Sequence, residues 1–196
     1  MGQTLIAANL PLHVVAHGVD PDAMAVEAGQ RIVPDNVRLS VGVGEDLHFP
    51  DNFFDFVISR VALPYMHIEQ ALREMHRVLK PGGETWLVLH PMRMYRERIW
   101  DAMRHRQFKG LLSCGWLGVN SLLFNTTGTQ LTLRGRTETF QTEAGIRRAL
   151  KRAGFECFHV EREPFFVVEA RKPAQGPPRN RPVPGHDFRS YQKRAG

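Results

Sequence analysis

Between residues 13 and 90, short apolar runs alternate with stretches of helical periodicity, and this alternation restricts the fold more than any other feature of the chain. "HVVAHGVD" (13–20) is an apolar run closed by an acid, and "PDAMAVEAGQRI" (21–32) follows with a proline at a helix start and Ala, Met and Val at helical spacing. "NVRLSVGVG" (36–44) alternates as a strand, and "FFDFVIS" (53–59) is a nearly continuous apolar strand. "IEQALREMHRVLK" (68–80) sets Ile68, Ala71, Leu72, Met75 and Leu79 on one helical face. "PGG" is then expected to stop that helix and turn the chain sharply into the strand "ETWLVLH" (84–90). Strands separated by helices pair in parallel through right-handed crossovers, so the fold class is α/β.

The rhythm breaks over 91–140 and returns in "FQTEAGIRRALKRAGF" (140–155), a helix with Thr142 as its cap and Gly154 as its terminator. "ECFHVER" and "FFVVEARKP" read as two closing strands, near enough in sequence to pair antiparallel. No internal repeat is visible, and one domain over 1–172 is the expectation for 196 residues. From 173 to 196 the chain is rich in Pro and Gly and poor in aliphatic residues, so a disordered tail is expected. Residues 171–196 hold Arg171, Lys172, Arg179, Arg181, Arg189, Lys193 and Arg194 against one acid, Asp187, and so carry the whole formal charge of +6. The basic signal therefore belongs to the tail. With only Phe188 and Tyr191 among those cations, it lacks the interleaved aromatics of a nucleic-acid surface, and nucleic acid is disfavoured as a partner.

No run of 18 apolar residues and no basic stretch followed by an apolar segment at the N-terminus appears, which argues against a membrane span or secretory signal and for a cytoplasmic chain. Cys114 and Cys157 have neither metal-ligand nor redox spacing and read as two free thiols.

Two features bear on chemistry. Asp20 stands between an apolar strand and a helix, where ligands lie in open parallel sheets; it can accept both hydroxyl hydrogens of a ribose, or simply cap the helix. The stretch "GEDLHFPDNFFDFVISRVALPYMHIEQALREMHRVLKPGGETWLVL" (44–89) combines "FPDNFFD" entering a buried strand, "SRVALPYM" leaving it and "EMHRVLKPGG" before the next. This stretch resembles the middle of class I S-adenosylmethionine-dependent methyltransferases of the small-molecule type, and the resemblance extends more weakly from Gly2 to Pro173.

That resemblance implies a Rossmann-like, mostly parallel sheet with an antiparallel C-terminal strand pair, S-adenosylmethionine as cofactor and a small-molecule or lipid-like acceptor. Gly2 matches the last glycine of the cofactor-binding turn, Asp20 the acid that holds the ribose, and Pro21 the adenosine edge. Val43, Gly44 and Glu45 match the loop that holds the adenine, where the family often has Asp in place of Val43. Valine cannot accept a hydrogen bond from the adenine amino group, so that contact must pass to Glu45, to a backbone carbonyl or to water, or be lost. Ser59 and Arg60 match the strand end lining the methionine side, while Tyr65, His90 and Tyr95 occupy the region facing the acceptor. No catalytic residue is assigned. Of His67, His76 and His90, which could serve as a base, His76 is expected at the surface.

By the same resemblance 91–140 is an acceptor lid or insert. Its Arg93, Arg96, Arg98, Arg104 and Arg106 could receive an anion or form a solvated helix face; Trp100, Met103, Phe108, Trp116 and Leu117 could line an acceptor pocket or pack in the core. The family's first strand, with most of its glycine turn, lies at the sheet centre and is absent ahead of Gly2, so the chain is expected to be N-terminally truncated. A non-catalytic methyltransferase-like module that binds a protein partner is the alternative function. A nicotinamide dehydrogenase shares the acid at Asp20 but does not account for "FPDNFFD" or "EMHRVLKPGG".

Overall fold

A computed structural model describes residues 2–90, 92–105, 108–133, 137–162 and 165–174. The expected tail over 173–196 lies almost wholly outside the described residues. Those up to Gly44 form one compact unit and those from Glu45 a second.

The first unit holds helix α1 (Gln3–Ala8), strand β1 (Ala16–Asp20), helix α2 (Ala23–Gln30) and strand β2 (Val37–Val41), with β1 and β2 paired in parallel from Ala16↔Val37 to Asp20↔Val41. Both strands and helix α2 were expected, the strands longer than they are. Helix α2 starts two residues later than proline placement suggests, because Asp22 is the cap: its carboxylate accepts the backbone N–H of Met24 at 2.9 Å and of Ala25 at 3.2 Å.

The second unit is built on a four-stranded sheet in the order β3 (Phe54–Arg60), β4 (Leu79–Leu89), β6 (Phe166–Arg171), β5 (Glu156–Glu161). Strands β3 and β4 are parallel, with helix α3 (Ile68–Val78) as their crossover, whereas β6 runs antiparallel to both β4 and β5. The α/β class and the antiparallel closing pair are thus as expected. Helices α4 (Met92–Arg104), α5 (Phe108–Thr127) and α6 (Glu143–Arg152) complete the unit. Thr142 caps α6, its hydroxyl oxygen accepting from Gly145 N at 3.1 Å, and Gly154 ends it at φ +93°.

Alternation along the strands supplies two apolar faces. On one, Leu87, Leu89, Val168 and Ala170 meet Ile68, Ala71, Leu72 and Met75 of α3 and Ile146, Ala149 and Leu150 of α6. On the other, Trp86, Val88 and Val167 gather Phe56, Ile58 and Val61.

"PGG" departs from expectation. Helix α3 ends at Val78 and β4 begins at once, carrying Pro81, Gly82 and Gly83 as an irregularity between the pairs Phe54↔Leu79 and Phe56↔Glu84. The reason is tertiary pairing. Gly82, at φ +81°, donates its N–H to Lys172 O at 2.9 Å, and Gly83 O accepts from Lys172 N at 2.9 Å. The Lys172 ammonium then bonds His76 O and Leu79 O at 2.8 Å each and Asn52 Oδ1 at 2.9 Å, satisfying carbonyls that the end of α3 leaves open.

Candidate active site

In the first unit, β1 delivers Asp20 half-buried at its carboxyl end. Asp20 Oδ1 accepts the N–H of Asp22 at 2.9 Å, while the helix cap itself belongs to Asp22. Asp20 is therefore not the cap of α2, and its second oxygen has no hydrogen bond among the described residues. Pro21 beside it is exposed. Gly2 sits at φ +86°, and a Cβ there would lie 2.8 Å from Val33 Cγ1, so both conformation and space require glycine. Val43 presents an exposed aliphatic side chain where an acceptor would be useful for adenine, and Gly44 follows it.

In the second unit, Glu45 is committed to α3. Its Oε1 accepts His67 N at 2.9 Å and its backbone carbonyl accepts Gln70 Nε2 at 3.2 Å, so one carboxylate oxygen already serves the helix N-terminus.

At the carboxyl end of β3, Ser59 is buried and its hydroxyl has no hydrogen-bond partner among the described residues, which carries a desolvation cost unless a ligand or water supplies one. Arg60 is exposed. Val61 follows in the left-handed region at φ +61°, a rare conformation for a β-branched residue, held by its N–H bonding Val88 O at 2.9 Å. The backbone thus bends sharply where an open sheet offers its ligand edge. No sequence signal marks this strain, because valine is ordinary strand composition.

Beyond that bend, Leu63–Tyr65 form a short 3-10 turn, and His90 follows directly on the last residue of β4. Tyr65 Oη lies 3.0 Å from His90 Nε2, with the rings edge to face at 5.5 Å. The Phe140 ring lies tilted, 6.0 Å from the His90 ring and 4.9 Å from that of Tyr95, whose hydroxyl donates to Cys114 O at 2.9 Å. All three residues expected to face an acceptor are therefore joined, Tyr65 to His90 directly and Tyr95 through Phe140. Burial pushes His90 below its ordinary value, with Glu138 opposing and Arg98 reinforcing the shift. Burial likewise raises the Tyr65 phenol. At neutral pH the imidazole is neutral and the phenol protonated.

Gln130, Thr137 and Thr139, from the stretch expected to be an acceptor lid or insert, hold this turn in place. Gln130 bonds both Met66 O (3.0 Å) and Ile68 N (2.7 Å), Thr137 Oγ1 donates to Tyr65 O at 2.9 Å, and Thr139 N to Pro64 O at 3.0 Å. Asn120 and Asn125 of α5 hold the backbone beside these residues from its other side.

Two expectations change. His76 is no surface residue: its ring stands edge to face with Phe155 at 5.1 Å, half-buried, and burial lowers its pKa. The arginines of α4 do not converge, since Arg93 pairs with Glu97 at 3.2 Å and Arg98 with Glu138 at 3.0 Å. Arg106 lies outside the described residues, as does the side chain of Phe108. Leu117 is core, whereas Trp100 and Met103 are exposed. Among the described residues no cluster of His, Cys, Asp or Glu could hold a metal, and Cys114 and Cys157 are free.

Residues 2–87 match a family described as a methyltransferase domain. The chain is 42% identical over 79 residues to the uncharacterized protein YafE of Escherichia coli, covering 40% of this chain and 37% of that protein. To the ubiquinone/menaquinone biosynthesis C-methyltransferase UbiE of Neisseria meningitidis it is 48% identical over 59 residues, 30% of this chain and 24% of that one. The chain thus spans less than half the length of either relative. Its fold matches that of an S-adenosylmethionine-dependent methyltransferase from Mesorhizobium loti with a TM-score of 0.55 at 20% identity, over 87% of this chain and 97% of that one.

Proposed function

We propose, from the match of residues 2–87 to the methyltransferase domain family, that the protein transfers a methyl group from S-adenosylmethionine to a small-molecule acceptor. The observation that carries this reading is the extent of the family match, which takes in every residue assigned to the cofactor: Gly2, Asp20, Pro21, Val43, Gly44, Glu45, Ser59 and Arg60. Asp20, with a free carboxylate oxygen, would take the ribose hydroxyls, and the unpartnered Ser59 hydroxyl beside the Val61 bend would take a polar group on the methionine side. Val43 fits the adenine amino group poorly. When bound, S-adenosylmethionine supplies a methyl group already activated on a sulfonium, so the protein's task is alignment in a dry pocket.

The acceptor end is assigned to Tyr65, His90 and Tyr95. Neutral His90 offers the Nε2 lone pair to the Tyr65 hydroxyl, which leaves the lone pairs of Tyr65 Oη free to accept a proton-bearing group of the acceptor. Tyr65 touches the acceptor in this reading, and His90 orients Tyr65 and receives its proton if one must leave.

Calorimetric titration of S-adenosylmethionine into the full chain tests the proposal. Saturable binding that weakens on Asp20→Ala and Ser59→Ala supports it. Absence of binding overturns it and favours a non-catalytic, partner-binding module, with Val43 as the first residue to restore to Asp.

A further inference from the structure

The surface formed by α4 and α5 departs from ordinary protein exterior. Along α5, Leu112, Gly115, Val119 and Leu122 recur at steps of three and four, and none is buried: Leu112 is 72% exposed, Val119 59% and Leu122 67%. The opposite side of α5, through Cys114, Leu117, Ser121 and Phe124, enters the core. The exposed stripe is uncharged over the eleven residues from 112 to 122, roughly 15 Å of helix. On α4, Tyr95 turns inward, and Met92, Arg96, Trp100 and Met103 share one flank, with Trp100 67% exposed. Arg98, Glu97 and Asp101 occupy the other, where Arg98 is held by Glu138. Scattered exposed apolar side chains are normal, but a helical stripe of them, with a tryptophan and two methionines on the adjoining helix, marks a surface that something covers.

Charge selects the occupant. Arg96 and Arg104 of α4 make no ion pair among the described residues; Arg96 shares the acid-free flank of Met92, Trp100 and Met103, and Arg104 stands at its border, three residues after Asp101. A second copy joined through this flank would bring the same cations and no acid to meet them. We propose that the α4–α5 hairpin lies on an anionic lipid surface, with Leu112, Val119, Leu122 and Trp100 entering the headgroup–acyl boundary and Arg96 and Arg104 reaching lipid phosphates. The attachment is interfacial, since no described helix is long and apolar enough to cross a membrane. It is independent of the reaction proposed above.

The experiment is sedimentation of the full chain with vesicles of phosphatidylcholine alone and of phosphatidylcholine containing phosphatidylglycerol. The expected result is binding to the anionic vesicles that weakens with salt and falls about tenfold in the triple variant Trp100→Ser, Leu112→Ser, Leu122→Ser and in Arg96→Glu, Arg104→Glu. The single variant Leu122→Asp gives the same readout should the triple variant melt early. Absence of binding, equal binding to neutral vesicles, or undiminished binding by these variants overturns the proposal; the last would transfer the attraction to cations elsewhere in the chain. A concentration-dependent dimer abolished by the same apolar substitutions also overturns it, in favour of a second copy.

Discussion

Tyr65 Oη stands 3.0 Å from His90 Nε2, linking an exposed phenol at the end of the 3-10 turn to a buried imidazole at the end of β4. The two residues are 25 apart in sequence, and they meet because β3 and β4 are parallel neighbours whose carboxyl ends finish side by side.

This pair gives a kinetic prediction. Tyr65→Phe is expected to lower kcat of methyl transfer by about one to two orders of magnitude while the dissociation constant of the cofactor stays unchanged. His90→Gln should lower it similarly and also remove the acidic limb expected in the pH–rate profile of the parent protein, where burial holds protonation of the imidazole below the ordinary histidine range. An unchanged profile in the His90 variant would reduce the imidazole to a packing role.

The histidines also predict how stability depends on pH. Burial lowers the folded-state pKa of both His76 and His90, so each binds a proton more readily in the unfolded chain. Their favourable contribution is complete above pH 6.5 and is lost as pH falls through that value toward their folded pKa. Melting temperature measured from pH 7.5 down to 5.5 should decline, and the double variant His76→Gln, His90→Gln should flatten that decline.

Lys172 tests the closure of α3. Its ammonium bonds two part-buried carbonyls and the exposed Asn52 Oδ1, so Lys172→Met should cost about 1–3 kcal/mol, because the carbonyls lose a charged donor. Denaturant unfolding measures the loss, and a change within error would show that water replaces the ammonium.

Gly154 offers a steric test. It lies at φ +93°, and an added Cβ would approach His76 Nε2 to 3.0 Å. Gly154→Ala should destabilise by about 1–2 kcal/mol from the left-handed backbone. In a His76→Ala background the steric part should vanish and the conformational part remain, a separation that a double-mutant cycle resolves.

What the sequence determined by itself was periodic and local. A nearly continuous apolar run marked β3, the spacing of Ile68, Ala71, Leu72 and Met75 marked the buried face of α3, and Thr142 and Gly154 marked the ends of α6, because caps and periodicity depend on neighbours a few residues away. The tertiary structure alone decided the rest. Pro81–Gly83 joined β4 because Lys172, some ninety residues later, pairs with them; Glu45 was drawn to the start of α3; His76 was covered by Phe155. The strain at Val61, the orphaned Ser59 hydroxyl and the Tyr65–His90–Phe140–Tyr95 cluster likewise exist only once distant segments are packed. A residue's type states which bonds it can make, whereas the fold decides which of them it has left for a ligand.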